Sequence, residues 1–239
     1  DVQEVIMGNV IQANTGQAPA RQAALGAGVH VGATCTTVNK VCASGMKAVI
    51  LGAQSILLGD KEVVVAGGME SMTNAPFMME NARNGYRYGN GVLVDAIVKD
   101  ALQDPYTLQM MGNSGDRCAV KFELSREAQD AFAIESYRRA AEAHHNGFFD
   151  DEIFPVEIKG RGESAWVADD EEYKKLRAEK VASLKPAFSK EGTVTAVNAS
   201  KINDGAAALV LMSGEKMREL GLTPVAKIVG YADAEQAPD

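Results

Sequence analysis

The sequence predicts an α/β protein on three observations. Short β-rich runs alternate with helical ones along the 239 residues. Residues 42–59 form a helical stretch that is apolar on nearly every side and lies between two strand-like runs, as a buried crossover helix does. The composition is 46% hydrophobic and 23% charged, so a chain of this length buries a core without disulfide or metal staples.

Taken in order, strand candidates fall at 2–7, 36–39, 62–66, 152–158, 193–197 and 207–212, each a short run rich in Val, Ile, Thr or other apolar residues. In the helix 42–59 the only polar side chains after Cys42 are Ser44, Lys47, Gln54 and Ser55. Gly59-Asp60 then turns the chain into the next strand, and strand, helix and strand make a parallel crossover. Residues 68–115 are rich in Met, Asn, Gly and Tyr, show little periodicity and read as loop. The next helix has Ser125 as its cap and Glu127 in its first turn, with Ala128, Ala131, Phe132 and Ala140 on one face and Gly147 as its stop. His144 and His145 fall in its last turn, where positive charge is favourable. Residues 163–180 are a charged surface excursion, and the α/β pattern resumes at Thr193. The expected division is 1–71 as the first part of a sheet domain, 72–190 as an insertion, 191–221 as closing strands, and 222–239 as the start of another domain. The text opens at Asp1 close to a strand, so the natural start, with any targeting peptide, is expected to be missing.

Several classes are excluded. The formal charge is −8 and no Lys/Arg-rich run occurs, which leaves no footprint for nucleic acid or an anionic membrane. No run approaches the ~18 apolar residues of a membrane span. Cys35, Cys42 and Cys118 are odd in number and lack Cys-x-x-Cys spacing, which argues against a disulfide framework or a structural zinc site. The acidic run Asp169-Asp170-Glu171-Glu172 reads as solvated and is assigned no metal. Gly26-Ala27-Gly28 reaches Val31 where a dinucleotide fingerprint needs its third glycine. The sequon Asn198-Ala199-Ser200 is discounted without a secretory signal.

Cys42 lies between a strand and the start of the apolar helix, in Asn39-Lys40-Val41-Cys42-Ala43-Ser44-Gly45-Met46. Backbone N–H groups and the helix dipole at such a place stabilise a thiolate and an oxyanion beside it, and Ala43, Ser44 and Gly45 leave room for a substrate. Position alone is equally consistent with a buried structural cysteine. Cys35 and Cys118 lack that setting and read as structural.

The text from Asn39 to Ala48 resembles the nucleophile motif of the thiolases, specifically the acetyl-CoA C-acetyltransferase type. Three further blocks resemble the family in order: Val65-Ala66-Gly67-Gly68-Met69-Glu70-Ser71-Met72 with Ala75-Pro76; Arg126-Glu127-Ala128-Gln129-Asp130-Ala131-Phe132-Ala133 with Ser136-Tyr137; and Gly192 to Ser200 with Asn203-Asp204-Gly205-Ala206-Ala207.

The resemblance implies a layered α/β/α fold, here the N-terminal half-domain with an inserted CoA-binding loop domain. It implies an acyltransferase of lipid and fatty acid metabolism that joins two acetyl-CoA into acetoacetyl-CoA and CoA through an acetyl-cysteine on Cys42, reversibly and without a covalent cofactor. Thiolases also need a second cysteine and a Gly-His-Pro histidine. No cysteine follows Cys118, and His30, His144 and His145 lack that context, so this half is not expected to condense acetyl groups alone. By resemblance Tyr137, Lys175, Leu176, Arg177, Lys180 and Ser200 contact CoA. Tyr137 and the carbonyls of Ala196, Val197 and Ala199 would hold a potassium ion. Val197 replaces the usual Ala or Gly, and Met110 stands where many members have a CoA-touching histidine. The resemblance further implies self-association as a dimer or tetramer and a mitochondrial matrix location, with the cytosol as the alternative. The competing readings are a longer-chain 3-ketoacyl-CoA thiolase, separated by pocket shape around the Met-rich stretch 69–79, and a non-catalytic acyl-CoA or lipid-binding module.

Overall fold

The computed structural model describes residues 1–160 and 162–237. They form two compact units, one made of 1–108 together with 202 onward and the other of 109–201.

The first unit is built on a four-stranded sheet. Its strands are β1 (Glu4–Gly8), β2 (Thr34–Val38), β3 (Val63–Ser71) and β8 (Asp204–Met212), in the order β2-β1-β3-β8. Both β2 and β3 run parallel to β1, with Val5 opposite Cys35 on one side and Val65 on the other. The expected parallel crossover is present, but β1 sits between the two strands it joins. β8 returns antiparallel along β3.

Alternation along β1 sends its side chains to two cores. Val5 and Met7 pack with Ala20 and Ala24 of α1 (Pro19–Gly26), while Ile6 packs with Val64, Ala66 and Ala48 of α2 (Ser44–Leu57). Helices therefore cover both faces of the sheet, which is the expected α/β class. α2 is less enclosed than its composition suggests: Ser44, Ala48, Ile50, Gly52 and Ala53 are buried, but Met46 and Leu57 are 70% and 75% exposed. Met46, Val49, Ile50 and Ala53 of α2 line a groove with Ile228 and Tyr231 of the last segment.

The stretch read as loop holds more structure than expected. β3 runs through Gly68 to Ser71, and β4 (Phe77–Met79) pairs antiparallel with β5 (Leu93–Asp95). Three-residue strands are too short to show a period of two. α1, α3 (Met111–Lys121) and α5 (Gly214–Glu219) also lie outside the elements expected from the sequence.

In the second unit, α4 (Arg126–His145) is capped by the Ser125 hydroxyl, which accepts from the Ala128 N–H at 3.2 Å. Its inward face is not the expected one. Phe132 is 75% exposed and Ala128 and Ala131 are exposed, whereas Asp130 and Ala133 are buried. The reason is that the inward stripe is polar and its atoms are paired. Arg126 holds Asp130 at 2.7 Å and donates to the carbonyls of Val181 and Leu184, and Gln129 donates to Thr193 Oγ1. His144 stacks on Tyr173 with ring centroids 4.5 Å apart and lies 3.4 Å from Asp170, so it packs against the charged excursion.

Two expected strands change. Of 152–158, only β6 (Val156–Ile158) is strand, paired with β7 (Ala165–Val167). Residues 193–197 form no strand, because their N–H groups bond to side chains: Thr193 and Val194 to Asp116 at 2.8 and 3.0 Å, and Thr195 to Asn198 Oδ1 at 2.7 Å.

Candidate active site

Cys42 is exposed, two residues before the first residue of α2. That disposes of the buried-cysteine alternative. Cys118 is exposed too, so it is not a core residue, while Cys35 is half-buried. The backbone entering Cys42 is strained: Val41 has φ +47°, the left-handed region that a β-branched residue rarely enters.

Two side chains hold this turn. Asn39 Oδ1 accepts from the Val41 N–H at 2.9 Å. Ser44 Oγ accepts from the Lys40 N–H at 2.8 Å and donates to the Val41 carbonyl at 2.6 Å. The Ala43 and Ser44 N–H groups donate to the Lys40 and Val41 carbonyls at 3.1 Å, and no side chain caps α2, whose N-cap is Ala43, so the N–H groups that follow in its first turn are not taken by a capping side chain. The arrangement is an exposed thiol beside helix-end donors.

The helix end rests on glycine. A Cβ at Gly8 would come within 2.5 Å of the Ser44 backbone, and one at Gly68 within 3.3 Å of Gly45 Cα. β1 and β3 can therefore support the first turn of α2 only without side chains there. Glu70, at the end of β3, accepts from the N–H groups of Val10 and Ile11 at 2.9 and 3.1 Å and from Asn9 Nδ2 at 2.8 Å, which ties the loop after β1 to β3. Lys40 and Lys47 flank the turn and pair with Asp233 at 3.3 and 2.6 Å, and Lys40 also pairs with Glu235 at 2.9 Å. These contacts hold the Lys40 ammonium above its usual range, Glu235 first and Asp233 second.

The second unit holds every residue that the resemblance assigned to CoA or potassium. Tyr137, on α4, donates to Glu172 Oε1 at 2.7 Å. Burial, then the bond to Glu172, pushes the Tyr137 phenol up to about 12, and the same bond draws Glu172 below the usual carboxylate range. Lys175 is exposed and pairs with Glu171 and Glu172 at 3.3 and 3.5 Å, so its charge is already shared. Leu176 is half-buried, and Arg177, Lys180 and Ser200 are exposed. Met110 is the N-cap of α3, its N–H donating to Asn113 Oδ1 at 3.1 Å. The carbonyls of Ala196, Val197 and Ala199 all accept from Lys201 Nζ.

Sequence reasoning missed Asn39, Glu70, Glu172 and Lys201. Asn39 had a signal, since Asn before a turn caps the N–H two residues on. Lys201 had none, because a lysine in a polar turn reads as solvated.

An α/β/α sandwich with an exposed thiol at the N-terminal end of its crossover helix defines the class of protein. The chain belongs to the thiolase family, whose N-terminal domain model matches residues 1–215. It is 56% identical over its whole length to a probable acetyl-CoA acetyltransferase of Dictyostelium discoideum and 55% identical to an acetyl-CoA acetyltransferase of Schizosaccharomyces pombe, covering 58% and 61% of those proteins. The cytosolic acetyl-CoA acetyltransferase of Gibberella zeae is 54% identical. Among solved structures, the Acat5 thiolase of Ascaris suum in complex with coenzyme A superposes with a TM-score of 0.90 at 46% identity, over 97% of this chain and 59% of that one. The acetyl-CoA acetyltransferase of Bacillus anthracis matches with the same TM-score at 44% identity, over 93% of this chain and 57% of that one. The chain thus spans about 60% of the length of its relatives.

Proposed function

We propose that this chain is the nucleophile-bearing half of an acetyl-CoA C-acetyltransferase, with Cys42 as the acyl acceptor. The observation that carries the reading is the exposed Cys42 thiol on a strained, side-chain-braced turn at an uncapped helix end. Cys42 Sγ, as thiolate, attacks the thioester carbonyl of acetyl-CoA, the oxyanion is held by nearby N–H groups, and the C–S bond to CoA breaks to leave acetyl-Cys42 and CoA thiolate. In the whole enzyme a second acetyl-CoA loses an α-proton and its carbanion takes the acetyl group, giving acetoacetyl-CoA and the free Cys42. The proton-moving histidine and second cysteine are not in this sequence, so the half-reaction at Cys42 is what this chain supports.

CoA is the substrate carrier. Tyr137, Lys175, Leu176, Arg177, Lys180 and Ser200 are proposed as its contacts, supported by their common place in the unit 109–201 and by the CoA complex of the Ascaris suum relative. Residues 72–190 are proposed as a CoA-binding insertion between 1–71 and the closing strands 191–221, with 222–239 leading into a further domain; the unit 109–201 supports this from residue 109 onward, whereas 72–108 belong to the sheet unit and 191–201 to the second unit. Self-association as a dimer or tetramer is supported by the exposed Leu209 and Val210 on edge strand β8. Of the two compartments expected, the matrix and the cytosol, the name of the Gibberella zeae relative favours the cytosol.

The test is intact-mass spectrometry after mixing the chain with acetyl-CoA, with peptide mapping and a Cys42→Ser control. A hydroxylamine-labile acetyl group on Cys42, absent in the control, is the expected result. Absence of the adduct both here and in a full-length relative carrying the same motif removes Cys42 from the mechanism and leaves the acyl-CoA-binding module.

A further inference from the structure

Lys201 follows the turn formed by residues 193–200 and folds its side chain back over it. Its ammonium donates to the Ala196 carbonyl, to the Val197 carbonyl at 3.5 Å and to the Ala199 carbonyl at 3.1 Å. Glu172 Oε1 lies 3.8 Å away and the centroid of the Tyr137 ring 5.9 Å away. Three carbonyl oxygens, a carboxylate and an aromatic face thus converge on one positive nitrogen, which is how a protein replaces the water around a hard monovalent cation.

The turn is built to present those carbonyls. Thr195 is fully buried and its hydroxyl accepts from the N–H groups of Val197 and Asn198 at 3.3 and 3.4 Å. The Asn198 amide donates to Asp130 Oδ1 at 3.0 Å and to the Thr193 carbonyl at 3.1 Å, and Asp130 is held by Arg126. The Ala199 N–H closes onto the Thr195 carbonyl at 3.0 Å. With the N–H groups of 197–199 engaged inside the turn, the carbonyls of Ala196, Val197 and Ala199 are left for Lys201.

These are the carbonyls that the family resemblance assigned to potassium, with Tyr137 beside them. The residues present do not fit a free ion there: all three carbonyls already accept from the ammonium, and a second cation on the same oxygens would face it at contact range. Ammonium and potassium carry equal charge and are similar in size, so one serves in the place of the other.

We propose that Lys201 is a built-in monovalent cation, which ties the 193–200 turn to Tyr137 and Glu172 and makes this turn independent of potassium. The proposal goes beyond the acyl-transfer reading, and its readout does not involve Cys42, so either can fail without the other.

The test compares thermal unfolding of the chain in potassium chloride and in choline chloride at matched ionic strength, alongside Lys201→Ala. The wild-type midpoint is expected to be the same in both salts. The Lys201→Ala midpoint is expected to fall by a few degrees in choline and to be recovered by potassium, which then binds the vacated carbonyls. A wild-type midpoint raised by potassium over choline overturns the proposal, as does a Lys201→Ala midpoint that is equal in the two salts. Should that variant not fold, rubidium-soaked crystals of the wild-type chain decide. An anomalous peak among the three carbonyls overturns the proposal, and its absence there, with rubidium seen elsewhere, supports it.

Discussion

Val41 takes a conformation that costs about 1–3 kcal/mol in most settings, and it adjoins the one cysteine placed for chemistry. Asn39 and Ser44 are what make the turn hold. Removing the Asn39 acceptor is expected to destabilise the chain by about 1 kcal/mol and to slow acetylation of Cys42, as read by urea unfolding and time-resolved intact mass. Val41→Gly separates the two effects. Glycine enters the left-handed region freely, and Val41 is half exposed, so little burial is lost. Its stability is expected to hold or rise, by up to about 1 kcal/mol, while acetylation still slows because the turn is no longer rigid. A Val41→Gly variant that unfolds more readily than wild type would contradict the strain argument. In the text, Cys42 was legible as lying between a strand and the start of a helix, but the sign of φ at Val41 was not, since a β-branched residue is little expected there.

At the level of elements, α4 shows why periodicity misled. Its inward stripe carries Arg126, Gln129, Asp130 and Tyr137, each satisfied by a partner 35 to 68 residues away or within the stripe, and Ala128, Ala131 and Phe132, which suggested a face, point outward. Hydrophobic pattern reads burial only where burial is apolar. One of these pairs gives a pH signature. The Tyr137 phenol stands at about 12, above its ordinary value, so its contribution is complete below the ordinary phenol value near pH 10 and is lost as pH rises towards 12. Glu172 is held below its ordinary range, so its contribution is present at neutral pH and is lost as pH falls through its lowered value. Tyr137→Phe is expected to remove the alkaline slope and to reduce the acid one, since Lys201 and Lys175 still face Glu172, seen as the difference between wild-type and variant urea midpoints across pH. Parallel profiles would show that the Tyr137–Glu172 bond does not matter to stability.

At the scale of the whole molecule the two units differ in what they bury. The first buries Val5, Ile6, Met7, Ile50, Val63 and Val64 around its sheet, whereas the described buried side chains of the second are Ala119, Asp130, Ala133, Val181 and Thr195, small or polar apart from one valine. Apolar burial is what sets resistance to local opening. Hydrogen exchange followed by mass spectrometry is therefore expected to find the amides of β1 and β3 slowest and those of α4 faster, and equal protection in α4 and β3 would refute that order. The sequence alone determined the α/β class, the crossover helix with Cys42 beside its start, the cap of α4 and the family, because these are written in residue types and their order along the chain. Tertiary structure alone decided that β1 lies between β2 and β3, that 193–197 bonds to side chains instead of a sheet, and that Lys201 closes on three carbonyls. The strand order and the bonds of Thr193 and Val194 to Asp116 depend on partners far along the chain, and the Lys201 contacts depend on how the turn aims carbonyls two to five residues back, which residue type does not encode.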